Sequence, residues 1–419
     1  MTFSSLGLSE PLLQALADLE FDEPTPVQAE AIPAILRGGD VWVSAQTGSG
    51  KTAAFVLPLL QALSTRPRES PRPVRALVVV PTRELALQIA DAVRHHGHWL
   101  PEPLKTCVAL GGVSINPQMM ALRGGADLVV ATPGRLLELV DENALRLSAV
   151  ETLVLDEADR LLSLGFADEL ARVLALLPQR RQNLLFSATF PPAVRALAQG
   201  LLREPTRIDV DAGTIMPAAD VITQRAIEVD PDRRTPLLRH LLQTHGWSHV
   251  LVFVASRYGT EHLARKLAGS GISAAPLHGA LSQGARQQAL SDFKARRVQV
   301  LVATDVAARG LDVVALPAVV NYDLPRSPVD YVHRVGRTGR AGEVGVALSF
   351  LDAMNEGHFR LIEKRYRLAV PRERVPGFEP SLPVMVPRDP QGGVKGKRKS
   401  KKDKLREAAA LAAAAGKKP

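Results

Sequence analysis

The feature that most limits how this chain can fold is a glycine-rich segment at residues 45–52 (AQTGSGKT). Residues 41–43 before it are apolar and typical of a buried strand, whereas residues 53–57 after it are typical of a helix. A strand, a glycine loop and a helix in this order form a unit of a parallel α/β sheet. Backbone N–H groups in such a loop can approach phosphate oxygens closely, and the helix N-terminus adds a partial positive charge. The segment therefore predicts a phosphate-binding loop.

The side chains of this loop have separate expected roles. Lys51 can reach the β- and γ-phosphates of a nucleotide, and Thr52 is placed to bind Mg²⁺ through its hydroxyl. The strict pattern has Gly where this chain has Ala45, so an ordinary Gly/Ser turn stays an alternative at this point. The candidate nucleotide ligands in the loop are Gly48, Ser49, Gly50, Lys51 and Thr52.

A pair of carboxylates follows another apolar run further along the chain. Residues 152–155 are typical of a buried parallel strand, and Asp156 and Glu157 come directly after it. Sheets of this kind bind ligands at the carboxyl ends of their strands. We therefore expect Asp156 to bind Mg²⁺, directly or through water, and Glu157 to orient and deprotonate an attacking water. An acidic cap of the next helix is the alternative.

Residues 21–28 (FDEPTPVQ) combine two prolines with a helix start, which predicts a rigid turn before a helix. The amide of Gln28 can both donate to and accept from an adenine edge, and Phe21 could stack on the ring. Taken alone this signal is weak, because a Gln at a helix start is usually a cap.

Apolar runs alternate with helical patterns along most of the chain, and 419 residues are too many for one ordinary core. This alternation predicts an α/β fold with two doubly wound parallel sheets. A stretch rich in small and polar residues between them reads as a flexible linker. The expected organisation is a first domain at 1–207, a linker at 208–223, a second domain at 224–370 and a proline-dotted extension with a basic tail at 371–419.

Small polar clusters follow the predicted strands of the first domain, and we expect them to share one edge of its sheet. Small donors and guanidinium groups of this kind bind a phosphate backbone without reading bases. For any single residue an ordinary turn is the better interpretation, but for the whole set it is not. The candidates are Thr82, Arg83, Gly112, Thr132 and Arg135.

The second domain has no second glycine-lysine loop, so we expect no nucleotide site of its own. Instead it offers residues 333–340 (HRVGRTGR), whose glycines indicate a loop able to reach across a cleft. An arginine donated to a γ-phosphate can raise the rate of phosphoryl transfer by roughly 10³ or more. A solvated basic loop is the alternative, and it is weakened because the first domain has no obvious arginine finger.

The net charge of +9 lies mostly at the C-terminus, since residues 392–419 contain ten Lys and Arg against two acidic residues. A nucleic-acid groove in the nearly neutral body must therefore depend on placed arginines and backbone N–H groups. The tail has no aromatic residue, so we expect it to bind RNA or a ribonucleoprotein electrostatically. Without a long apolar run, an export signal or a second cysteine besides Cys107, the chain is expected to be cytoplasmic and away from membranes.

With these residues in place the chain resembles the DEAD-box RNA helicases, named for the tetrapeptide at residues 156–159. The resemblance covers residues 3 to about 370. Residues 21–28 resemble the adenine-sensing Q motif of the family, and residues 45–52 resemble its phosphate loop, in which Ala45 is usual. The family implies two tandem RecA-like domains, with ATP and Mg²⁺ as cofactors.

The resemblance also implies roles for further residues. In the family, Asp312 would lie near the ribose, and Arg337 and Arg340 would be the arginine fingers. The implied RNA-binding residues of the second domain are Ser256, Gln283, Arg286, Thr304 and Arg309. The residues implied to couple hydrolysis to RNA are Ser187, Thr189 and His333.

The implied mechanism is closure of two domains, bridged by ATP and single-stranded RNA, with local opening of short duplexes, and the chain is expected to act as a monomer. Residues 375–380 (VPGFEP) and the short basic tail suggest the bacterial RhlE-like branch. Three other functions are weighed against this one: an RNA clamp that binds ATP without hydrolysis, a DNA helicase or translocase, and a small-molecule P-loop kinase. The kinase leaves the second domain unexplained, and intact Glu157 and Arg337 speak against the clamp.

Overall fold

A computed structural model describes residues 2–45, 48–66, 69–210, 222–308, 316–339 and 344–381. Within these residues the chain forms two parallel seven-stranded sheets, each with helices packed around it. This arrangement confirms the predicted α/β fold with two RecA-like domains. Most of the predicted linker, the tail beyond residue 381, and Arg309, Asp312 and Arg340 lie outside the described residues.

The first sheet has the strand order β3-β4-β2-β5-β6-β1-β7. Its strands are β1 Val41–Ser44, β2 Ala76–Val79, β3 Thr106–Ala109, β4 Leu128–Ala131, β5 Thr152–Leu155, β6 Gln182–Ser187 and β7 Thr206–Asp209. The helices are α1 Glu10–Asp18, α2 Pro26–Leu36, α3 Lys51–Ser64, α4 Arg83–His96, α5 Asn116–Ala121, α6 Pro133–Asp141, α7 Ala158–Ser163, α8 Ala167–Ala175 and α9 Pro192–Leu201.

The second sheet has the strand order β10-β11-β9-β12-β13-β8-β14. Its strands are β8 Ile222–Glu228, β9 Val250–Phe253, β10 Ala274–Leu277, β11 Val300–Ala303, β12 Ala318–Asn321, β13 Gly345–Leu351 and β14 Arg372–Glu373. The helices are α10 Arg234–His245, α11 Arg257–Ala268, α12 Gln283–Lys294, α13 Asp305–Ala308, α14 Pro328–Val335 and α15 Glu356–Tyr366.

Central strands of both sheets are buried on both faces, which explains why they read as continuous apolar runs. Successive side chains point to opposite faces, so Leu77 and Val78 of β2 pack into different hydrophobic clusters. On one face Phe55 of α3 packs against Phe186 of β6, with ring centroids 5.2 Å apart. Burying a side chain of this size contributes roughly 1.5–3 kcal/mol. The helices are thereby fixed to the sheet, and the loops at the carboxyl ends of the strands share one edge.

The observed ends of the sheets differ from the boundaries that the sequence suggested. β7 ends at Asp209 and β8 begins at Ile222, so both strands reach into the predicted linker at 208–223. Ile208 is only 2% exposed and packs into the core of the first domain. Beyond residue 370, β14 pairs with β8, and Phe378 packs against the core of the second domain. The folded second domain therefore continues past the predicted end at 370.

Among the helices of the described ranges, none combines the length and apolar character needed to cross a bilayer. Cys107 lies on β3 as a buried free thiol.

Candidate active site between the two domains

The phosphate-binding loop connects β1 to α3, as predicted. Gly50 precedes the helix with a φ of 92°, in the left-handed region that glycine tolerates. A Cβ at Gly50 would lie 2.5 Å from Nε2 of Gln28 and 2.9 Å from Oγ1 of Thr25, so only glycine fits between this loop and α2. Lys51 is the first residue of α3, and its Nζ donates to the carbonyl of Ala45 at 2.6 Å. The ammonium group is thereby held over the loop.

Gln28 is both a helix cap and part of the site. Its Oε1 accepts from the N–H of Thr25 at 2.9 Å, which completes a capping box at the start of α2. Its Nε2 donates to the carbonyl of Gly50 at 3.2 Å, so the same amide touches the phosphate-binding loop. The cap interpretation is therefore correct for Gln28, and it does not remove this residue from the cavity, which it lines.

Phe21 lies at the same end of the cavity with 46% of its surface exposed. Its ring centroid is 6.0 Å from that of His96, at the end of α4. Burial, reinforced by neighbouring His95, lowers the pKa of His96 to about 4, so this imidazole is neutral at physiological pH. Phe21 thus lies beside a second, uncharged ring at this end of the cavity, and an exposed aromatic ring of this kind can stack on a base.

Asp156 and Glu157 follow β5 and are buried, with 3% and 8% of their surfaces exposed. Burial raises the pKa of Asp156 to about 7, Lys51 opposes this shift, and Glu157 adds to it. Glu157 has a left-handed backbone with a φ of 50°, a conformation that non-glycine residues adopt at a cost of about 1–3 kcal/mol. Its Oε2 is buried and has no hydrogen-bond partner within the described part of the chain. Such a carboxylate oxygen is suited to accept a proton from water.

The residues present fit a bound Mg²⁺. Asp156 supplies a buried carboxylate whose raised pKa indicates that Lys51 alone does not compensate its charge. Thr52, the second residue of α3, lines the same cavity with a hydroxyl. Mg²⁺ prefers one or two such protein oxygens, with water and substrate phosphates as its other ligands. Among the described residues, no group of three or more His, Cys, Asp or Glu is placed to hold a metal ion.

A single cavity of about 1220 Å³ unites these groups with residues of the second domain. The first domain contributes Lys51, Asp156 and Glu157 to its lining, and the second domain contributes Arg337. Arg337 is 5% exposed and follows α14, so it reaches the cavity from the opposite side. The structure thus brings a residue of the predicted arginine cluster to the predicted phosphate-binding loop.

The residues expected to couple the two sites surround Asp159. Thr189 donates through its Oγ1 to Oδ2 of Asp159 at 2.6 Å, and its N–H donates to the same oxygen at 3.1 Å. Ser187 accepts from the N–H of Asp159 at 3.2 Å. The turn after β6 is therefore attached to the helix that begins after Glu157. His333 lies in α14, four positions before Arg337, and is 8% exposed.

The five RNA-binding candidates of the first domain share one edge of the sheet, but most have structural partners. Thr82 caps α4 by accepting from the N–H of Leu85 at 3.3 Å, and Thr132 accepts from the N–H of Gly111 at 3.3 Å. Arg135 donates to the carbonyl of Val113 at 2.7 Å. These buried side chains hold the loops at the carboxyl edge of the sheet in place.

Arg83 and Gly112 come close together at this edge. Gly112 has a φ of 72°, and a Cβ there would collide with the guanidinium of Arg83. Glycine is therefore required for Arg83 to lie over the loop after β3.

In the second domain the predicted RNA-binding residues separate into two groups. Ser256 is exposed and caps α11, and Thr304 follows the neighbouring strand β11. Gln283 and Arg286 instead line the cavity between the domains. Arg286 is 4% exposed and its Nη2 lies 2.6 Å from Oε1 of Glu84 in the first domain. The structure therefore places Arg286 in a contact between domains rather than on an open surface.

Three charged residues that contact the other domain or the coupling turn were missed by the sequence analysis. Glu84 pairs with Arg286, and Arg160 pairs with Asp330 of the second domain. A signal existed for Arg160, because a charged residue interrupts the apolar residues at the start of α7.

The fold and the site together define a two-domain nucleoside triphosphatase whose phosphate-binding loop, acidic pair and arginine meet between the domains. Comparison with known proteins agrees. The family model described as DEAD/DEAH box helicase matches residues 25–197, and the model described as helicase conserved C-terminal domain matches residues 233–342.

Curated relatives have the same organisation. The DEAD-box ATP-dependent RNA helicase CshA of Bacillus cereus is 40% identical over 382 residues, covering 91% of this chain and 71% of that protein. The ATP-dependent RNA helicase DeaD of Mycobacterium tuberculosis is 41% identical over 378 residues, covering 90% of this chain and 66% of that protein. The chain therefore belongs to the DEAD-box family of ATP-dependent RNA helicases, as its motifs predicted.

Similar solved structures relate the arrangement of the domains to a ligand state. Saccharomyces cerevisiae Dbp5 bound to RNA and ADP BeF3 has a TM-score of 0.79 at 30% identity, covering 89% of this chain and 95% of that one. A Dbp5 variant bound to Nup159, Gle1, IP6 and ADP has a TM-score of 0.59 at 30% identity, covering 90% and 96%. The present arrangement is thus more similar to that of the RNA-bound Dbp5.

Proposed function

We propose that this helicase hydrolyses ATP in the cavity between its domains, and only when single-stranded RNA has brought the domains together. The observation that carries the proposal is the position of Arg337, which lines the same cavity as Lys51, Asp156 and Glu157 although it belongs to the other domain. With the domains apart, the first domain would retain nucleotide ligands but would lack the arginine opposite the γ-phosphate.

Each group has a role that follows from its surroundings. Phe21 and Gln28 bind the adenine, and residues 48–52 bind the phosphates, with the help of Asp312 at the ribose. Thr52 and Asp156 would hold Mg²⁺, which when bound would supply positive charge opposite the phosphates. Glu157 accepts the proton of the attacking water through its unpaired Oε2. Arg337, assisted by Arg340, stabilises the charge that develops on the transferred phosphoryl group.

The coupling to RNA would run through the turn after β6. Ser187 and Thr189 attach this turn to Asp159, and His333 approaches from the second domain on α14. RNA would bind along the carboxyl edges of both sheets, mainly through its phosphates. In the first domain, Arg83 and the loops around Gly112, Thr132 and Arg135 would contribute, and in the second domain Ser256, Thr304 and Arg309 would do so. Closing on a bent strand would open a short duplex locally.

We propose that residues 1–207 form the first domain and residues 224–370 the second. The first domain is extended by the end of β7, and the second is extended by the start of β8 and by β14. The chain would act as a cytoplasmic monomer, with its basic tail held against RNA or a ribonucleoprotein. The RhlE-like branch is supported by residues 375–380 and by the short tail.

Replacing Glu157 by Gln tests the chemistry directly. The Glu157→Gln variant keeps the shape of the site and should bind ATP and RNA as the wild type does, because Lys51 and the RNA-facing loops are unchanged. Its RNA-stimulated phosphate release should fall by about 10²–10⁴-fold, the range of general-base catalysis. The exposed Glu142, changed to Gln, is the matched control.

The assay should compare single-stranded RNA, duplex RNA and DNA. Surviving turnover in Glu157→Gln would show that another group is the base. A wild type that binds ATP and RNA but releases no phosphate would instead be a clamp, and equal stimulation by DNA would favour the DNA helicase.

A further inference from the structure

A buried ion pair joins the two domains directly after the acidic segment at residues 156–159. The guanidinium of Arg160, in α7, donates to Oδ1 of Asp330, in α14 of the second domain. The two side chains are 4% and 12% exposed. Neither residue was predicted as functional, and neither is needed to bind the nucleotide.

Each partner also has hydrogen bonds within its own domain. The Oγ of Ser327 donates to Oδ2 of Asp330 at 2.8 Å and accepts from the N–H of Asp330 at 3.2 Å. This leaves Oδ1 directed at Arg160. On the other side, the N–H of Arg160 donates to Oδ1 of Asp159 at 3.0 Å. Ser327 therefore orients the carboxylate of Asp330 in the second domain, and Asp159 holds the backbone of Arg160 in the first domain.

The pair joins two elements of the catalytic machinery. Asp159 holds Thr189 of the turn after β6, so Arg160 is adjacent to the coupling element of the first domain. Asp330 begins the helix that carries His333 and leads to Arg337. Arg334, one turn further along α14, donates to Asp305 at 2.6 and 2.7 Å, which ties this helix to the start of α13 after β11, so that the helix moves together with its own domain. A displacement of α14 at Asp330 would therefore move Arg337 as well.

We propose that Arg160 and Asp330 are positioning residues, whose ion pair forms on domain closure and sets α14 so that Arg337 reaches the γ-phosphate. This inference rests on the proposed function. In separated domains both charges would be hydrated. In the closed form each would be buried without compensation if the other were absent. Closure and delivery of the arginine finger thereby become one event.

The test uses the full chain with Arg160→Met, Asp330→Asn and the double variant. We expect unchanged affinity for ATP in the absence of RNA, because the nucleotide ligands of the first domain are untouched. RNA-stimulated kcat should fall by about 10²-fold in each single variant, since an unpaired buried charge opposes closure. The double variant should be no worse than the poorer single variant, because it buries no unpaired charge. This non-additivity is a readout that simple loss of packing does not produce.

Arg172→Met is the matched control, since Arg172 forms an exposed pair with Asp141 within the first domain, at 3.5 Å. RNA affinity in the presence of AMP-PNP gives a second readout that needs no hydrolysis. It should fall in the single variants and recover in the double variant. If the wild type releases no phosphate, the proposed hydrolysis is wrong. The RNA affinity of the variants still tests the ion pair in that case, because the binding assay needs no hydrolysis.

Two results would overturn the inference. One is single variants with the kcat and RNA affinity of the wild type. The other is a double variant whose loss equals the product of the single losses. Should Arg160→Met not fold, Arg160→Gln replaces it in the same test, because glutamine also removes the cation opposite Asp330 while it keeps a polar side chain.

Discussion

The two domains have the same strand order, yet the charged residues at the start of one equivalent helix face different partners in each domain. In each sheet the third strand of the domain lies at one edge and the first strand lies next to the seventh at the other. In the first domain the helix after the first strand begins with Lys51, and in the second domain the corresponding helix begins with Arg234. The fifth strand is followed by Asp156 in one case and, one residue further on, by Asp323 in the other.

In the first domain these groups face an open cavity, whereas in the second they face each other. Arg234 donates to Oδ1 of Asp323 at 2.9 Å and also to Oδ2 of Asp352, which follows β13. Its guanidinium therefore pairs with the carboxylates that follow the fifth and sixth strands of its own sheet. The comparison teaches that a cation at the start of this helix is not sufficient for nucleotide binding. The glycine loop is needed as well, and the carboxylates opposite Arg234 are already paired with its guanidinium.

The Arg337→Ala variant is the sharpest test of this difference between the domains, because it removes the arginine that the second domain contributes to the nucleotide site of the first domain. RNA-stimulated turnover should fall by about 10³-fold, the usual contribution of an arginine finger. Affinity for ATP without RNA should stay the same, as Lys51 and Asp156 are retained. Steady-state phosphate release and nucleotide titration measure the two quantities, with the exposed Arg265→Ala as the control. Equal losses in both would mean that Arg337 supports the fold rather than the reaction.

Arg234→Met tests whether the matching position of the second domain is a structural ion-pair site. Two partly buried carboxylates would lose their partner, which should lower the free energy of unfolding by about 3 kcal/mol. Urea denaturation measures this effect, and Arg239→Met, at an exposed position of α10, is the control. ATP binding should remain at one nucleotide per chain. A second nucleotide bound by the wild type in equilibrium dialysis would contradict the comparison outright.

Deleting residues 392–419 should have the smallest effect, because it leaves both domains complete. RNA affinity should fall mainly at low salt, since log-affinity for single strands changes with log salt by roughly 0.7 per neutralised phosphate. RNA titrations at several salt concentrations, with and without the tail, measure the difference in slope. A mixture of the truncated chain and the free tail peptide controls for nonspecific charge. Unchanged affinity would assign the tail to protein partners.

Much of the fold was predictable because the central strands are buried on both faces and therefore appear as apolar runs. β8 was missed in part, since Thr223, Gln224 and Arg225 lie in its partly exposed section and break the pattern. β14 has only two residues, and Phe378 packs on the second domain from a segment without periodicity. Short edge elements of this kind are stabilised by contacts with distant parts of the chain. The hydrophobic periodicity of the local sequence therefore does not predict them.

The nucleotide side of the site was predictable for a different reason. A loop that binds phosphates needs glycine, lysine and a hydroxyl at adjacent positions, so its signal is local. The contacts between domains are not local: Glu84 meets Arg286, and Arg160 meets Asp330, across long separations in sequence. The dual role of Gln28 also required the structure, because the close approach of Gly50 decides which groups its amide meets.

The ion pairs of Arg234 in the second domain bear on how many nucleotides the chain can bind. Within the described residues one nucleotide site serves two matching sheets, so each hydrolytic cycle of the chain would consume a single nucleotide. A chain that releases its strand after each such cycle would open base pairs in proportion to how often it loads onto a helix. Long, uninterrupted duplexes should therefore resist it even when ATP is abundant.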